Sequence, residues 1–196
     1  MLVDIVLGSK AVWRVLSVLA EAPGQGITKE EIKKTTKLGG NSIFESIKIL
    51  LKSDMVASGK AGKKTFYRMN MSNKYSRLVS EIIQNERRDL NNMNLKIVTI
   101  LREYVRQIYD SMDIAAVYVF GSMVKNSYRE DSDIDIAIIT EKDISAKDRI
   151  ALEKIGEGIE KRFGREMQPH FFTEKEFRKS EGGIAEQVKR DGITLI

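Results

Sequence analysis

The sequence contains no cysteine, which excludes disulfide bridges and thiolate metal sites. No apolar run approaches the roughly 20 residues that a membrane-spanning helix requires. The beginning, MLVDIVLGSK, lacks the basic segment and the long apolar segment of a secretory signal. These absences predict a cytoplasmic protein.

The composition is that of a folded protein with two different parts. Of the 196 residues, 42% are hydrophobic and 31% are charged, as in globular domains. The net charge of +5 is uneven, because residues 1–70 carry +6, residues 71–110 carry +2 and residues 111–196 carry −3. This asymmetry is typical of two domains with different ligands. We predict domains at 1–70 and 93–196, joined by a helical linker at 71–92.

Two capping boxes mark helix starts in the first third. Thr28 with Glu31, and Ser42 with Glu45, each place a hydroxyl residue three positions before a glutamate. Each pair can therefore satisfy the first backbone N–H groups of a helix. Apolar residues at helical spacing also precede Thr28, so three short helices are predicted.

A lysine-rich hairpin is predicted after these helices. Residues 55–57 and 65–69 have strand patterns on either side of the glycine-bearing segment 59–64. Three helices and a basic hairpin resemble the winged helix-turn-helix DNA-binding families of prokaryotic regulators, over residues 8–70. The resemblance implies that the third helix enters the major groove and that the hairpin lies along the backbone of double-stranded DNA. The residues expected in the groove are Asn41, Ser42, Glu45 and Lys48, and those expected on phosphates are Lys60, Lys63, Lys64 and Arg68.

Two alternatives stay open in this half of the chain. Winged helices also serve as protein–protein modules, although the basic tip of the hairpin favours DNA. Residues 71–110 are nearly free of glycine and proline and are predicted to be helical on both sides of the polar segment 85–92. The first helix could pair with a second copy of the chain, giving a homodimer, or pack on its own winged helix. The second helix is expected to pack under a C-terminal sheet.

The stretch YVFGSMVKNSYREDSDIDIAI, residues 118–138, places two aspartates within a strand pattern. Asp133 and Asp135 are two residues apart, so in a strand both side chains point to the same face. Glu130 and Asp131 add negative charge nearby. Two neighbouring carboxylates repel each other unless a cation or a proton lies between them. We therefore expect a divalent cation, Mg²⁺ or Mn²⁺, at this pair.

Gly121 and Ser122 follow an apolar run that ends at Phe120. We expect a strand, a turn and a short helix here, with backbone N–H groups and the serine hydroxyl available to phosphate oxygens. Lys125 and Arg129, on the following segment, could neutralise a triphosphate. A phosphate site beside a carboxylate metal site is what phosphoryl or nucleotidyl transfer requires.

The complete pattern, G-S followed after ten residues by D-x-D in the form S-D-I-D, resembles the nucleotidyltransferase signature of the DNA polymerase beta superfamily. It is most similar to the minimal nucleotidyltransferases, over residues 93–196. The resemblance implies that Ser122 contacts the phosphates of a nucleoside triphosphate (NTP) and that Asp133 and Asp135 bind the metal ions. Lys125 matches the basic position of the common motif.

The chain departs from this family at two positions. Asn126 stands where glycine is usual, a change that asparagine tolerates better than most residues. The third carboxylate of the family, which acts as general base, is expected on a strand over 166–173 but aligns with Gln168. Glu166 lies two residues earlier on the same face and could take its place. His170, the only histidine, lies on that face too, although lone histidines are more often packing residues.

These patterns predict an α+β protein with a winged helix, a helical linker and a mixed-sheet nucleotidyltransferase domain. The expected function is Mg²⁺-dependent transfer of a nucleoside monophosphate from an NTP to a hydroxyl acceptor. The alternative is a transcription regulator whose nucleotidyltransferase-like domain is an inactive nucleotide sensor, as Gln168 suggests. A third possibility, an antitoxin-like partner of a helical toxin, is disfavoured by the attached winged helix. The catalytic candidates are Asp133, Asp135 and Glu166, and the nucleotide-binding candidates are Gly121, Ser122, Lys125 and Arg129.

Overall fold

The computed structural model of the chain describes residues 8–125, 127–129 and 132–196. Asn126, Glu130 and Asp131, which the sequence analysis considered, lie outside the described residues. The chain divides into two compact units, Met1–Arg88 and Asp89–Ile196. Within the described residues, every helix is too short or too polar to cross a bilayer.

The α+β class predicted from the sequence is confirmed. The first half of the chain contains α1 (Lys10–Ala20), α2 (Lys29–Thr36), α3 (Gly40–Lys52), β1 (Val56–Ala61), β2 (Lys64–Met69) and α4 (Lys74–Asp89). The second half contains α5 (Leu95–Tyr109), β3 (Ala116–Val119), β4 (Ile134–Thr140), α6 (Ala146–Phe163), β5 (Met167–Thr173), α7 (Glu174–Lys179), α8 (Gly183–Asp191) and β6 (Ile193–Thr194).

The first unit has the winged-helix architecture, with three helices and a hairpin around one core. The apolar residues of α1 lie at helical spacing and face this core, where Val15, Leu16 and Leu19 are fully buried. A single antiparallel bridge joins Ile27, before α2, to Tyr67 of β2.

One of the two predicted capping boxes is present. The backbone N–H of Thr28 donates to Glu31 Oε2 at 2.7 Å, and the N–H of Glu31 donates to Thr28 Oγ1 at 3.3 Å. The second predicted box, at Ser42, is wrong. Helix α3 begins at Gly40, after an extended Gly39 that makes no side-chain cap. Ser42 is therefore already inside the helix and cannot cap it.

The hairpin is longer and its turn tighter than predicted. β1 and β2 pair in register from Val56 with Met69 to Ala61 with Lys64. Only Gly62 and Lys63 remain for the turn, and Gly62 adopts a left-handed backbone with φ +59°. A two-residue turn of this kind favours glycine because a side chain strains the left-handed conformation.

Helix α4 packs on the core of the first unit, which is one of the two alternatives that the sequence left open. Val79 and Ile83 are buried in the core of the unit. The Ser76 hydroxyl donates to the carbonyl of Met55 at 2.9 Å, and the Gln84 amide donates to the carbonyl of Ala20, at the end of α1, at 3.0 Å. A homodimer stays a prediction. After Asp89, Asn91 and Asn92 have positive φ and separate α4 from α5.

The second unit is built on a four-stranded mixed sheet in the order β5-β4-β3-β6. β4 and β5 are parallel, whereas β3 runs antiparallel to both β4 and β6. One face of the sheet carries the larger core, formed with α5 and α6, as predicted for the second middle helix. The opposite face is covered by a smaller cluster in which Phe120, Ala137 and Val188 of α8 are buried.

A buried carboxylate joins α5 to α6. Glu103 is only 6% exposed and accepts hydrogen bonds from Arg106 at 3.1 Å, Gln107 at 3.0 Å and Arg162 of α6 at 3.3 Å. A buried charge is tolerated only when it is paired and hydrogen-bonded, and these donors satisfy that condition. The ion pair between Glu103 and Arg162 thus holds α5 and α6 together under the sheet.

Candidate functional site

Asp133 directly precedes β4 and Asp135 is its second residue, so both lie on the same face of the sheet. Ile134 and Ile136 alternate with them and are fully buried in the opposite core. Both aspartates are partly exposed, whereas Ala137, the next residue on their face, is buried. The two carboxylates therefore lie where the cover of this sheet face ends, as the period-2 pattern predicts.

A glycine turn lies directly against the second of these carboxylates. Gly121 follows β3 with φ +72°, and a Cβ atom built on it would collide with Asp135 Oδ2 and lie 3.2 Å from Asp135 Cγ. The backbone N–H of Phe120 donates to the carbonyl of Asp135 at 3.1 Å, which joins the turn to β4. Glycine is therefore required here both by backbone conformation and by space.

The segment after Gly121 is a turn and not the short helix that the sequence analysis expected. Residues 121–125 form hydrogen-bonded turns, and the Ser127 N–H donates to the carbonyl of Ser122 at 3.2 Å. The Ser122 side chain is partly exposed in this turn. Its hydroxyl and the neighbouring backbone N–H groups remain candidates for phosphate contact, close in sequence to the glycine that touches Asp135.

Gln168 occupies the position next to the carboxylate pair on β5. The parallel register pairs Asp135 with Gln168, and Gln168 Nε2 donates to Asp133 Oδ2 at 2.6 Å. The amide is thus a direct partner of the site. A glutamine at this point donates a hydrogen bond to a carboxylate, whereas a third acid would add a negative charge.

Glu166 is not part of the strand in which it was predicted. β5 begins at Met167, and Glu166 is an exposed residue before it whose carbonyl accepts from the N–H of Ile134 at 3.0 Å. Within residues 8–125, 127–129 and 132–196, no group of three or more His, Asp or Glu side chains could hold a metal ion. A catalytic role of Glu166 stays a prediction.

His170 shares the face of Asp135 and packs against an aromatic ring. Its imidazole meets the Phe120 ring edge-on, with ring centroids 5.5 Å apart. Burial raises the pKa of Asp135 above its ordinary value; the nearby His170 lowers this pKa, and Asp133 raises it further. The site thus disfavours the ionised form of Asp135 in the absence of a cation.

The two predicted phosphate-binding cations are both exposed. Lys125 Nζ lies 3.9 Å from Asp191 Oδ2, at the end of α8. The Arg129 N–H donates to Ser132 Oγ at 2.8 Å, so the backbone of this residue belongs to the loop before Asp133. Their binding of a triphosphate stays a prediction.

Arg165 supports the loop before Asp133, and the sequence analysis did not identify it. It is only 9% exposed, donates to the carbonyl of Arg129 at 3.1 Å and also donates to the carbonyl of Ser132. Its guanidinium lies 5.9 Å from the centroid of the Tyr128 ring. No sequence pattern identifies Arg165, because the hydrogen bonds described here go to backbone carbonyls, which every residue type has.

The donor set fits one divalent cation. Two aspartate carboxylates on an open face supply hard oxygen ligands, and Mg²⁺ commonly binds one or two carboxylates together with substrate phosphates and water. The raised pKa of Asp135 supports this fit, because a bound cation would favour the ionised carboxylate. The described residues do not supply a third carboxylate for a second cation.

The surface predicted to bind DNA is exposed on the first unit. Asn41, Ser42 and Lys48 lie on the outer side of α3, where Lys48 Nζ is 3.9 Å from Glu45 Oε2. Of the hairpin residues, all four predicted cations are exposed, namely Lys60, Lys63, Lys64 and Arg68.

Comparison with known proteins finds a match to one protein family in the second half of the chain. Residues 98–193 match the family model of the nucleotidyltransferase domain. No curated protein matches the chain significantly. A solved toxin–antitoxin complex with AMP-PNP is 18% identical over 49% of this chain and 72% of that one, with a TM-score of 0.39. The adhesin competence repressor AdcR of Streptococcus pyogenes is 17% identical over 55% of this chain and 88% of that one, with a TM-score of 0.34.

Replacing Gly121 by alanine is expected to destabilise the second unit by about 2–5 kcal/mol. Left-handed backbone costs a non-glycine residue roughly 1–2 kcal/mol, and the collision with Asp135 adds roughly 1–3 kcal/mol. Gly164→Ala is the matched control, because Gly164 has φ +69° and no atom within 4 Å of an added Cβ. It is expected to cost only the conformational part, roughly 1–2 kcal/mol.

Urea unfolding followed by far-ultraviolet circular dichroism measures both variants. The only tryptophan, Trp13, packs against the core of the first unit, so its fluorescence transition should not move. Equal losses for Gly121→Ala and Gly164→Ala would contradict the close contact with Asp135.

Asp135→Asn is expected to stabilise the metal-free protein at pH 7 but not near pH 3. Because the pKa of Asp135 is raised in the folded state, this state binds more protons than the unfolded state above the ordinary aspartate pKa. The stability of the parent therefore falls as pH rises through the interval from the ordinary pKa to the raised one. Unfolding in EDTA at both pH values measures the difference. A variant that is less stable than the parent at pH 7 would refute the assignment.

Proposed function

We propose that the nucleotidyltransferase domain matched by residues 98–193 binds an NTP with Mg²⁺ and transfers its nucleoside monophosphate to a hydroxyl acceptor. The observation that carries the proposal is the pair of partly exposed carboxylates, Asp133 and Asp135, held against the Gly121 turn. The same turn offers Ser122 and backbone N–H groups, which suit phosphate oxygens. The negative groups of the site and of an NTP require a cation between them.

In this proposal each residue has a defined task. Asp133 and Asp135 hold the cation, which would neutralise phosphate charge and polarise the reacting phosphate. Ser122 and Lys125 contact the triphosphate and orient it. The acceptor oxygen forms a bond to the α-phosphorus, the bond from that phosphorus to the bridging oxygen breaks, and pyrophosphate leaves while the hydroxyl proton passes to solvent. Catalysis of this kind consists mainly of positioning and charge neutralisation.

The first unit, in this proposal, binds double-stranded DNA. Its winged-helix architecture, its net charge of +6 over residues 1–70 and the exposed cations of the hairpin support this role. Helix α3 would enter the major groove, and the hairpin cations would contact phosphates. DNA binding would bring a nucleotide-dependent reaction, or a nucleotide-dependent signal, to a chromosomal site.

A second candidate function is a regulator that senses nucleotide without turning it over. The hydrogen bond from Gln168 to Asp133 favours it, because a neutral amide there cannot accept a proton from an attacking hydroxyl. In this case NTP and metal would bind at the two aspartates, pyrophosphate would not be released, and the bound nucleotide would change the affinity for DNA.

The Asp133→Asn, Asp135→Asn double variant is expected to lose metal-dependent NTP binding. Removing residues that merely support metal ligands costs roughly 10–100-fold in affinity, so removing both ligands should cost at least about 100-fold. Titration calorimetry with each NTP and Mg²⁺ or Mn²⁺ measures this. The control is Asp113→Asn, Asp143→Asn, which removes the same charge at two exposed positions of the same unit. Equal loss in both double variants would exclude the assigned site.

Turnover separates the two candidate functions. The parent protein is incubated with NTP labelled at the α-phosphate, the metal ion and extract of its own cells, and both released pyrophosphate and labelled macromolecules are measured. An enzyme labels an acceptor in a reaction that needs both aspartates. If the protein is a sensor, the parent labels no acceptor. In that case we expect Gln168→Glu, which adds a third acid, to gain turnover.

Replacing Lys60, Lys63 and Lys64 by glutamine is expected to weaken DNA binding independently of sequence. Log affinity falls as log salt concentration rises, and each phosphate contact contributes about 0.9 to the steepness of that slope. The slope of the triple variant should therefore be less steep than that of the parent by about 2.7. Filter binding from low to high salt measures the slope. The control is Lys147→Gln, Lys154→Gln, Lys161→Gln, which removes three exposed lysines from α6. An unchanged slope in the hairpin variant would rule out the proposed contacts.

A further inference from the structure

One aromatic side chain of α3 faces away from the core of its unit. Phe44 is 52% exposed, whereas Ile43, Ile47 and Leu50 of the same helix are buried. A single exposed apolar residue is common on protein surfaces and carries no conclusion by itself. The surroundings of Phe44 are what distinguish it.

Phe44 lies in the middle of the polar surface that the proposed DNA contact would cover. Asn41 and Lys48, three residues before it and four residues after it, share its helix face and are exposed. Lys29 Nζ, from α2, lies 5.0 Å from the centroid of the Phe44 ring and 5.9 Å from that of Tyr67. The ring therefore lies among polar and mainly basic side chains, with the Lys29 ammonium over its face; the acidic neighbour, Glu45, is 3.9 Å from Lys48 Nζ.

We propose that Phe44 reads thymine in the major groove, through contact with the C5-methyl group. This inference rests on the proposed DNA binding by the first unit. A phenyl ring cannot form directional hydrogen bonds with base edges, so it can discriminate between base pairs only through apolar contact. The thymine methyl group is the apolar feature that the major groove presents. The basic surroundings of Phe44 favour DNA over an apolar protein surface as the occupant.

The consequence is a sequence preference that depends on a methyl group. The chain should select sites with thymine at the position facing Phe44 and should discriminate against uracil there, since uracil pairs like thymine but lacks the methyl group. Burial of one methyl-sized group is worth about 0.8 kcal/mol, which corresponds to an affinity ratio of about four.

The test begins with the full-length protein and a random pool of DNA duplexes, from which preferred sites are selected. The selected duplex is then synthesised with each thymine replaced in turn by uracil, and the affinities are measured by fluorescence anisotropy. We expect the parent to lose about fourfold at one position per site. Phe44→Ala should bind the thymine and uracil duplexes equally, and Phe44→Leu, which keeps an apolar contact, should retain part of the difference.

The matched control is Tyr75→Ala. Tyr75 is another exposed aromatic residue of the first unit, 37% exposed, and Lys74 Nζ lies 5.0 Å from its ring centroid. It lies on α4, outside the proposed groove surface, so its loss should leave the thymine preference intact. The Trp13 fluorescence transition verifies that each variant is folded.

Three results would overturn the inference while leaving DNA binding in place. These are selection of no preferred site, equal affinity of the parent for thymine and uracil duplexes, and an undiminished thymine preference in Phe44→Ala. If the parent binds no duplex even at low salt, the proposed function of the first unit fails as well.

Discussion

The candidate nucleotide site depends on one steric constraint, the contact between the Gly121 turn and the Asp135 carboxylate. The turn can lie there only because residue 121 lacks a side chain and accepts a left-handed backbone. This contact and the hydrogen bond from the Phe120 N–H to the Asp135 carbonyl join the end of β3 to the start of β4, and Ser122 is the next residue along the chain. The parallel pairing of β4 with β5 then adds Gln168 from the other side. Two segments of the chain, the Gly121 turn and β5, thus meet the two carboxylates that β4 carries.

Much of this arrangement could be predicted from the sequence, because local patterns determine it. The alternation around Asp133 and Asp135 predicts a strand with both carboxylates on one face, and the capping box at Thr28 predicts a helix start; both are present. The strand is more buried than the half-buried one predicted, because both of its faces are covered from Ala137 onward. The box at Ser42 failed because Gly39, which has no side-chain signal for capping, starts the helix earlier. Likewise, no local pattern predicts that Arg165 binds backbone carbonyls of a loop more than 30 residues away in sequence, since the fold alone brings them together.

Gln168 shows how a single amide can leave a site intact while changing what the site can do. Its side chain satisfies Asp133 with a neutral hydrogen bond, so the face holds less negative charge than it would with a third acid. Binding of one cation with a nucleotide fits the remaining residues, whereas proton removal from an acceptor finds no third carboxylate among the described residues. In the proposed function, binding of the cation would therefore depend on Asp133 and Asp135, whereas proton removal would depend on what stands at position 168.

The hairpin of the first unit has a consequence for solubility as well as for recognition. Its outer half is exposed on β1, from Ser58 to Ala61, and β1 is the edge of a two-stranded sheet. An exposed strand edge can pair with the edge of another molecule, and lysines are a common means of preventing this, because like charges repel when two edges approach. Lys60 on this edge, with Lys63 and Lys64 beside it at the turn, would therefore be expected to disfavour edge-to-edge pairing. A chain that lost these charges would be expected to lose colloidal stability as well.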